Sequence, residues 1–375
     1  MARNIVLINN SPIKGGMYTY AIQLMTGLLK LEQTGEVDKV TQIVPNFAVH
    51  RKNIYIPRKI ATQKRRFESH SFYLDECDAA AYEKSLKDAT DIIIIAHVMN
   101  DGLDCLGNIP DCRVYVVFHS GLDLINLKRK AIFSEVSSLR HSFVTDLILY
   151  RRGLLPAVDK IAEIYSWSHL KRVNIIHQRM GYEVNPNPTE FLSRPNNFVW
   201  MGRARNLQKR FTRILNAYDS WAPMVNTFKF LTDLSSDVAH WSDVSDFKKR
   251  LALFDKNKYD LIDGYEPDDV QGYVKDCRIG VIPSQYPEAG FPLEWVMQEL
   301  MANKVVVMST RKIQEESDKY SPIFKFITFD EGWDPIDFSI LDEYSESDLK
   351  EIAEDNYKHL RENHSCADMA RNILN

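Results

Sequence analysis

A glycine-bearing turn followed by two glutamates marks where this chain has the means to do chemistry. Residues 288–303 read Glu-Ala-Gly-Phe-Pro-Leu-Glu-Trp-Val-Met-Gln-Glu-Leu-Met-Ala-Asn. The apolar runs Ile279–Pro283 and Val305–Met308 on either side have the character of buried strands. The turn around Gly290, Phe291 and Pro292 therefore starts a helix that carries Glu294 and Glu299 near its beginning. In a parallel sheet this places free backbone N–H groups and carboxylates at the carboxyl end of a strand, where open α/β sheets bind ligands. The N–H groups suit an anion, and a carboxylate one turn on suits the paired hydroxyls of a ribose. Glu299 taken alone also reads as a solvated helix residue; the turn and its flanking strands favour the ligand.

Those residues need a scaffold, and the rest of the chain supplies one. Ile5–Ile8 is an apolar run followed by a glycine-bearing loop, then by a helix from about Met17 to Leu31 with apolar residues at Ile22, Leu24, Met25, Leu28 and Leu29. Further strands are predicted at Thr41–Val44, Asp91–His97, Val114–His119 and Ile161–Trp167. In the second half they are predicted at Phe198–Met201, Phe228–Leu231, Asp260–Ile262, Ile279–Pro283 and Val305–Met308. Alternating strand and helix in both halves implies an α/β protein with two doubly wound parallel sheets and a ligand cleft between them. The Pro/Asn-rich segments 185–188 and 194–197 read as an interdomain linker. The expected division is residues 1–188, residues 189–350, and a C-terminal helical segment, 351–375, that packs back on the first domain.

Composition narrows the class. The chain has 375 residues, 45% of them hydrophobic and 26% charged, as in a water-soluble two-domain protein. No apolar run approaches the ~20 residues that span a bilayer. The N-terminal apolar run is too short for a secretory signal and reads as a first strand. Five cysteines without a CxxC pair argue for reduced thiols in a cytoplasmic compartment and against structural zinc. No Asp-x-Asp sits at a strand end, so no obligatory metal is expected.

The net charge is −4, divided as about +4 over residues 1–190 and about −8 over the remainder. Between His50 and His70 lie Arg51, Lys52, Arg58, Lys59, Lys64, Arg65 and Arg66 against the single acid Glu68. This cluster reads either as a solvated loop or as a contact for a phosphate backbone. The interleaved Tyr55, Phe67 and Phe72 either pack or stack on bases.

Three separated motifs carry a resemblance. They are Lys14-Gly15-Gly16 after the first strand, Trp200-Met-Gly202-Arg203 with Lys209-Arg210 after the first strand of the second half, and the Glu288–Glu299 stretch. Together they resemble retaining, nucleotide-sugar-dependent glycosyltransferases of the GT-B class, two Rossmann-like doubly wound domains facing across a cleft. The resemblance implies that Gly15 and Gly16 lie against the donor sugar and diphosphate, where a Cβ would obstruct backbone approach. It implies that Arg203 and Lys209 neutralise the diphosphate and stabilise the charge of the leaving UDP. It implies that Gly290 and Phe291 form the donor turn, that Glu288 or Glu294 serves the sugar hydroxyls, and that Glu299 serves the ribose. The spacings depart from the family pattern: Arg203 to Lys209 is longer, leaving Arg205 or Arg210 as substitutes, and Glu288 to Glu299 is longer too. The bland alternative for the cations is a solvated helix face.

A narrower resemblance fits those departures. Leu293-Glu294-Trp-Val-Met-Gln-Glu299-Leu300, Arg113-Val-Tyr-Val-Val-Phe-His119-Ser-Gly, Ile164-Tyr-Ser-Trp-Ser168-His169 and Trp200-Met-Gly-Arg203 look like segments of the T-even phage α-glucosyltransferases. Those enzymes act on 5-hydroxymethylcytosine in DNA. The resemblance implies that His119 contacts the donor sugar; read alone, His119 is a hydrogen-bonded histidine at a strand end. The acidic residue that follows this histidine in the phage enzymes is Ser120 here, so no role for that carboxylate transfers. The implied activity is sugar transfer from a UDP-sugar co-substrate to a hydroxymethylated pyrimidine in double-stranded DNA, with retention. The cytoplasm of an infected host is the implied setting, with no stable membrane insertion. The alternatives are transfer to a bacterial surface glycan or lipid-linked acceptor, and a nucleotide- or DNA-binding protein that has lost catalysis.

Overall fold

The computed structural model describes residues 3–10, 16–45, 67–74, 86–96, 112–118, 143–149, 155–164, 166–178, 180–204, 209–234, 241–265, 269–284, 295–318 and 323–375. It divides into two compact units, one of residues 1–181 with 365–375 and one of residues 182–364.

Among the described residues the first unit is built on seven parallel strands: β1 Asn4–Asn10, β2 Lys39–Pro45, β3 Ser71–Leu74, β4 Asp91–Ala96, β5 Arg113–Phe118, β6 Asp146–Leu149 and β7 Asn174–His177. Their order is β3-β2-β1-β4-β5-β6-β7, so the winding reverses beside β1. Ile92 to Ile95 and Tyr115 to Val117 are wholly inaccessible, which explains runs without polar alternation: both faces of a central parallel strand are covered. At the amino-terminal edge the buried Asp91 is held by the Arg3 guanidinium at 3.1 Å and the Tyr115 hydroxyl at 3.0 Å. Arg3 also donates to the Leu374 carbonyl at 2.6 Å, tying the last helix to this edge.

Among the described residues the second unit has six parallel strands: β8 Asn197–Met201, β9 Phe228–Thr232, β10 Tyr259–Asp263, β11 Cys277–Ile282, β12 Val306–Thr310 and β13 Ile327–Phe329. Their order is β10-β9-β8-β11-β12-β13, so the winding reverses beside β8. An aromatic cluster fills the core, with Phe228 and Phe230 stacked at 4.7 Å and Trp200, Phe211, Trp221 and Phe247 packed around them. Trp221 satisfies its indole N–H on the Ile214 carbonyl at 2.9 Å, so its polar atom enters the core with a partner. Gly280 on β11 leaves room for Leu300 of the helix Trp295–Met301, whose side chain occupies the space a Cβ would fill. That contact seats the glutamate-bearing helix directly on the strand.

Several elements differ from the sequence expectation. Ile161 lies in a helix, Leu155–Ile164, and not in a strand. Val158, Ile161 and Ala162 are its buried residues, a spacing of three and four that belongs to one helical face. Ser168–Arg172 is a 3-10 turn. The short strands β3, β6, β7 and β13 carried too few residues to register as apolar runs.

The boundary between units falls at 181/182 instead of 188/189, because the Pro/Asn-rich segment is bound into the second unit. Asn185 donates from its backbone to the Ala302 carbonyl at 3.0 Å and from its side chain to Asn303 at 3.1 Å. Arg194 is buried and donates to the carbonyls of Cys277 at 2.8 Å and Asn303 at 2.7 Å. The C-terminal segment is two helices, Glu346–Asn363 and Cys366–Leu374, separated where Ser365 caps the second. Only the second belongs to the first unit. It lies so close to the helix Gly16–Gln33 that a Cβ on Gly27 would overlap the Cys366 carbonyl.

Candidate functional site

In the second unit the strand order places the topological switch between β8 and β11, and the candidate residues collect at the carboxyl ends of these strands and their neighbours. Arg203 follows β8 and is half-buried. Lys209 is half-buried, lies over Gly202, and donates from Nζ to the Ser284 Oγ just beyond β11 at 3.3 Å. The lysine thus bridges the two strands that flank the switch. Asp233 follows β9 and is buried. Tyr265 follows β10 after Gly264, whose φ of 75° turns the chain sharply there.

These groups act on one another. Burial pushes the Tyr265 phenol up, the charges of Glu299 and Asp233 add to that, and Arg203 opposes it. Burial pushes Glu299 up to about 7, and a hydrogen bond from the Tyr182 side chain opposes the shift. Glu299 is only 7% exposed, and that burial is what raises it. Beside it Gln298 is wholly buried and neither atom of its carboxamide finds a hydrogen-bond partner. The hydroxyls of Thr232 and Thr310, which end β9 and β12, are likewise buried without partners. Orphaned polar atoms are uncommon in a folded interior. Among the described residues these three side chains hold hydrogen-bonding capacity that no partner in the chain takes up.

Arg210, the possible substitute for a diphosphate cation, is committed elsewhere. Its backbone is left-handed, with φ 43° and ψ 38°. Its guanidinium lies 4.6 Å from the Trp333 ring centroid and donates to the Gly332 carbonyl at 2.6 Å. Arg213 beside it donates to the carbonyls of Asp330 and Asp334 at 2.9 and 2.8 Å, so the pair holds the loop after β13.

In the first unit Gly16 is the first residue of the helix after β1. Phe67 is buried and packs in the interior, which settles its role among the aromatic residues flanking the basic cluster. His177 ends β7 exposed, and His169 lies 6.4 Å from the Trp167 ring in the 3-10 turn. Gly15, His119, Arg205, Glu288, Gly290, Phe291 and Glu294 lie outside the described residues, as do Arg51, Lys52, Arg58, Lys59, Lys64, Arg65 and Arg66. The end of β5 at Phe118 is described, one residue before His119.

Among the described residues no group of three or more His, Cys, Asp or Glu side chains is arranged to hold a metal ion. Nor is any described helix long and apolar enough to cross a membrane. Cys277 and Cys366 are buried thiols outside any disulfide; Cys366 donates to the Gln23 Oε1 at 2.9 Å, and burial pushes Cys277 up to about 12.

Of the residues singled out from sequence, Arg203, Lys209 and Glu299 are placed at this edge. Ser284, Asp233, Tyr265, Gln298 and Tyr182 were not anticipated. The first three follow strand ends, where open α/β sheets bind ligands, and were open to reasoning from that position. Gln298 lay unremarked inside the helix, and no sequence signal marks Tyr182.

No family model and no curated protein sequence matches the chain. Solved structures do. An α-glucosyltransferase in complex with UDP-glucose and DNA containing an abasic site superposes with a TM-score of 0.73 at 13% identity, over 99% of this chain and 98% of that one. An α-glucosyltransferase in complex with UDP and a 13-mer DNA containing an HMU base gives 0.70 at 13% identity, over 100% and 99%. HepE from Anabaena, in complex with UDP and glucose, gives 0.65 at 12% identity, over 99% and 98%. The likeness extends over the full length of each chain, and the fold is the GT-B arrangement of two Rossmann-like doubly wound domains.

Proposed function

We propose that this chain is a nucleotide-sugar-dependent glycosyltransferase that moves a sugar from a UDP-sugar to the hydroxymethyl group of 5-hydroxymethylcytosine in double-stranded DNA, with retention. The observation that carries the reading is the gathering of Arg203, the Lys209–Ser284 bridge and Glu299 at the carboxyl edge of one parallel sheet, beside its switch point. Two cations and a carboxylate there have the chemistry for a diphosphate and a ribose. Solved structures of the same fold hold UDP, UDP-glucose and glucose, and two of them hold DNA, which supports both halves of the reading.

In the proposed reaction the bond between the anomeric carbon and the β-phosphate oxygen breaks while the acceptor hydroxyl oxygen bonds to that carbon on the same face. The hydroxyl proton passes to the departing diphosphate, so the step balances without a separate base. Arg203 and Lys209 stabilise the charge that develops on the leaving oxygen. The base carrying the hydroxymethyl group leaves the duplex to reach the sugar. The cations Arg51, Lys52, Arg58, Lys59, Lys64, Arg65 and Arg66 hold the DNA backbone. His119 contacts the donor sugar, Gly15, Gly16, Gly290 and Phe291 line the donor, and Glu288 or Glu294 takes the sugar hydroxyls.

A second reading keeps the donor chemistry and changes the acceptor to a surface glycan or lipid-linked sugar. The same fold is also seen in a glycosyltransferase from Rickettsia africae and in a UDP-forming trehalose-phosphate synthase, so the fold alone does not choose the acceptor. UDP release from UDP-sugars, measured with no acceptor, with hydroxymethylated duplex and with acidic liposomes, separates the readings. Stimulation by the modified duplex alone is the expected result. Stimulation or binding by liposomes that DNA does not compete away supports the glycan reading, and no UDP release under any condition contradicts both.

A further inference from the structure

Glu299 is held by a residue that the donor reading does not use. Tyr182 is the first residue of the second unit, half-buried, and its phenol donates a hydrogen bond to the Glu299 carboxylate. Its ring lies 6.4 Å from Trp295, one helical turn before Glu299 on the same face. Its backbone N–H donates to the His364 carbonyl at 2.9 Å. Neighbouring contacts tie the same entering segment to the same helix. Asn185 bonds Ala302 and Asn303, Asn303 donates to the Glu299 carbonyl at 2.9 Å, and the Tyr357 hydroxyl donates to the Asn185 carbonyl at 2.8 Å. The Tyr182 phenol therefore approaches Glu299 from a segment fixed at several points.

We infer that Tyr182 is a positioning residue for the donor site: its phenol, set beside Trp295 one helical turn before Glu299, aims the Glu299 carboxylate at the ribose hydroxyls. This rests on the donor reading of Glu299. An ionised carboxylate is acceptor-only and takes two hydroxyl donors, whereas a protonated one presents a competing O–H. A hydrogen bond donated to the charged form stabilises that form against desolvation. Among the described residues, Glu299 is acted on by burial and by Tyr182, and its charge is felt in turn by Tyr265, on which Asp233 and Arg203 also act. The titratable groups on the neighbouring helices are otherwise engaged where their bonds are seen. Glu354 of Glu346–Asn363 pairs with Lys304 at 2.8 Å, and Tyr357 is spent on Asn185. Tyr273 is the titratable residue of Val270–Val274.

Tyr182→Phe keeps the ring against Trp295 and the backbone bond to His364 and removes only the phenol. The test follows the Glu299 carboxyl by carbon NMR in the free protein from pH 5 to 9, alongside the Kd for UDP over the same range. The titration midpoint is expected to rise by about half a unit to one unit in Tyr182→Phe. UDP binding is then weakened about two- to five-fold at pH 7 and returns toward wild type at pH 8.5, the change in ionised fraction that such a shift from a midpoint near 7 produces. Replacing Tyr182 by 3-fluorotyrosine, a stronger hydrogen-bond donor, is expected to move the midpoint the other way. Coincident titrations of the wild-type, phenylalanine and fluorotyrosine proteins overturn the role of Tyr182 even if UDP binding remains dependent on Glu299. If Glu299→Gln binds UDP as the wild type does, the donor reading of Glu299 is what fails, and the inference falls with it.

Discussion

Arg203 and Glu299 ask different things of the same sheet edge. A guanidinium is charged at every working pH and is useful where negative charge develops on a leaving diphosphate. Arg203→Ala is therefore expected to lower turnover at least ten-fold with an unchanged circular dichroism spectrum and melting temperature. Unaltered kinetics would remove the diphosphate assignment. Glu299 is a titrating group whose folded pKa, about 7, lies above its ordinary value of 4.5. Between those values the folded state binds more protons than the unfolded one, so stability falls as pH rises from about 4.5 to 7 and levels off above. Glu299→Gln removes that loss. Its stability relative to wild type is expected to improve from pH 5 to pH 8 by on the order of 2 kcal/mol, measured by urea denaturation. Parallel stability curves would place Glu299 in a more solvated setting. UDP affinity should move in the opposite sense, strengthening in the wild type as pH rises through 7.

The elements that carry these residues depend on close backbone approaches. Gly27→Ala places a methyl on the Cys366 carbonyl, so the helix Cys366–Leu374 must shift from its seat on Gly16–Gln33. A loss of about 1–3 kcal/mol is expected, with faster amide exchange confined to the last helix and to the helix Gly16–Gln33. An unchanged melting temperature would contradict that packing. The central strands were legible from sequence because they are covered on both faces and read as unbroken Ile and Val runs. Arg203 and Lys209 stood out by likeness to the Gly-Arg and Lys element of the resembled family, and Arg203 follows β8. β7, an edge strand whose residues are partly exposed, gave no clear apolar run, and Ile161–Trp167 read as a strand although Val158, Ile161 and Ala162 lie on one buried helical face. Tyr182 was invisible because its partner, Glu299, is 117 residues away and only the return of the chain beside the helix Trp295–Met301 brings the two together. The direction of Arg210 was equally unreadable, since a left-handed backbone at that residue is not encoded by its type.

At the scale of the whole molecule, the charge asymmetry and the proposed donor site in the second half suit a protein that brings a nucleotide sugar to an anionic polymer. DNA affinity is expected to fall steeply with salt and to weaken when Lys64, Arg65 and Arg66 are neutralised together, with a shallower salt slope in that variant. Salt-insensitive binding would argue against backbone contact by the basic segment. The most direct test of the account incubates the protein with a panel of UDP-sugars and duplex DNA, with and without 5-hydroxymethylcytosine, and digests the DNA to nucleosides for mass spectrometry. A sugar-sized mass gain on 5-hydroxymethyl-2′-deoxycytidine, and on no other nucleoside, is the result expected. UDP-sugar turnover with no mass gain on the modified duplex would contradict it and move the acceptor to a glycan or lipid.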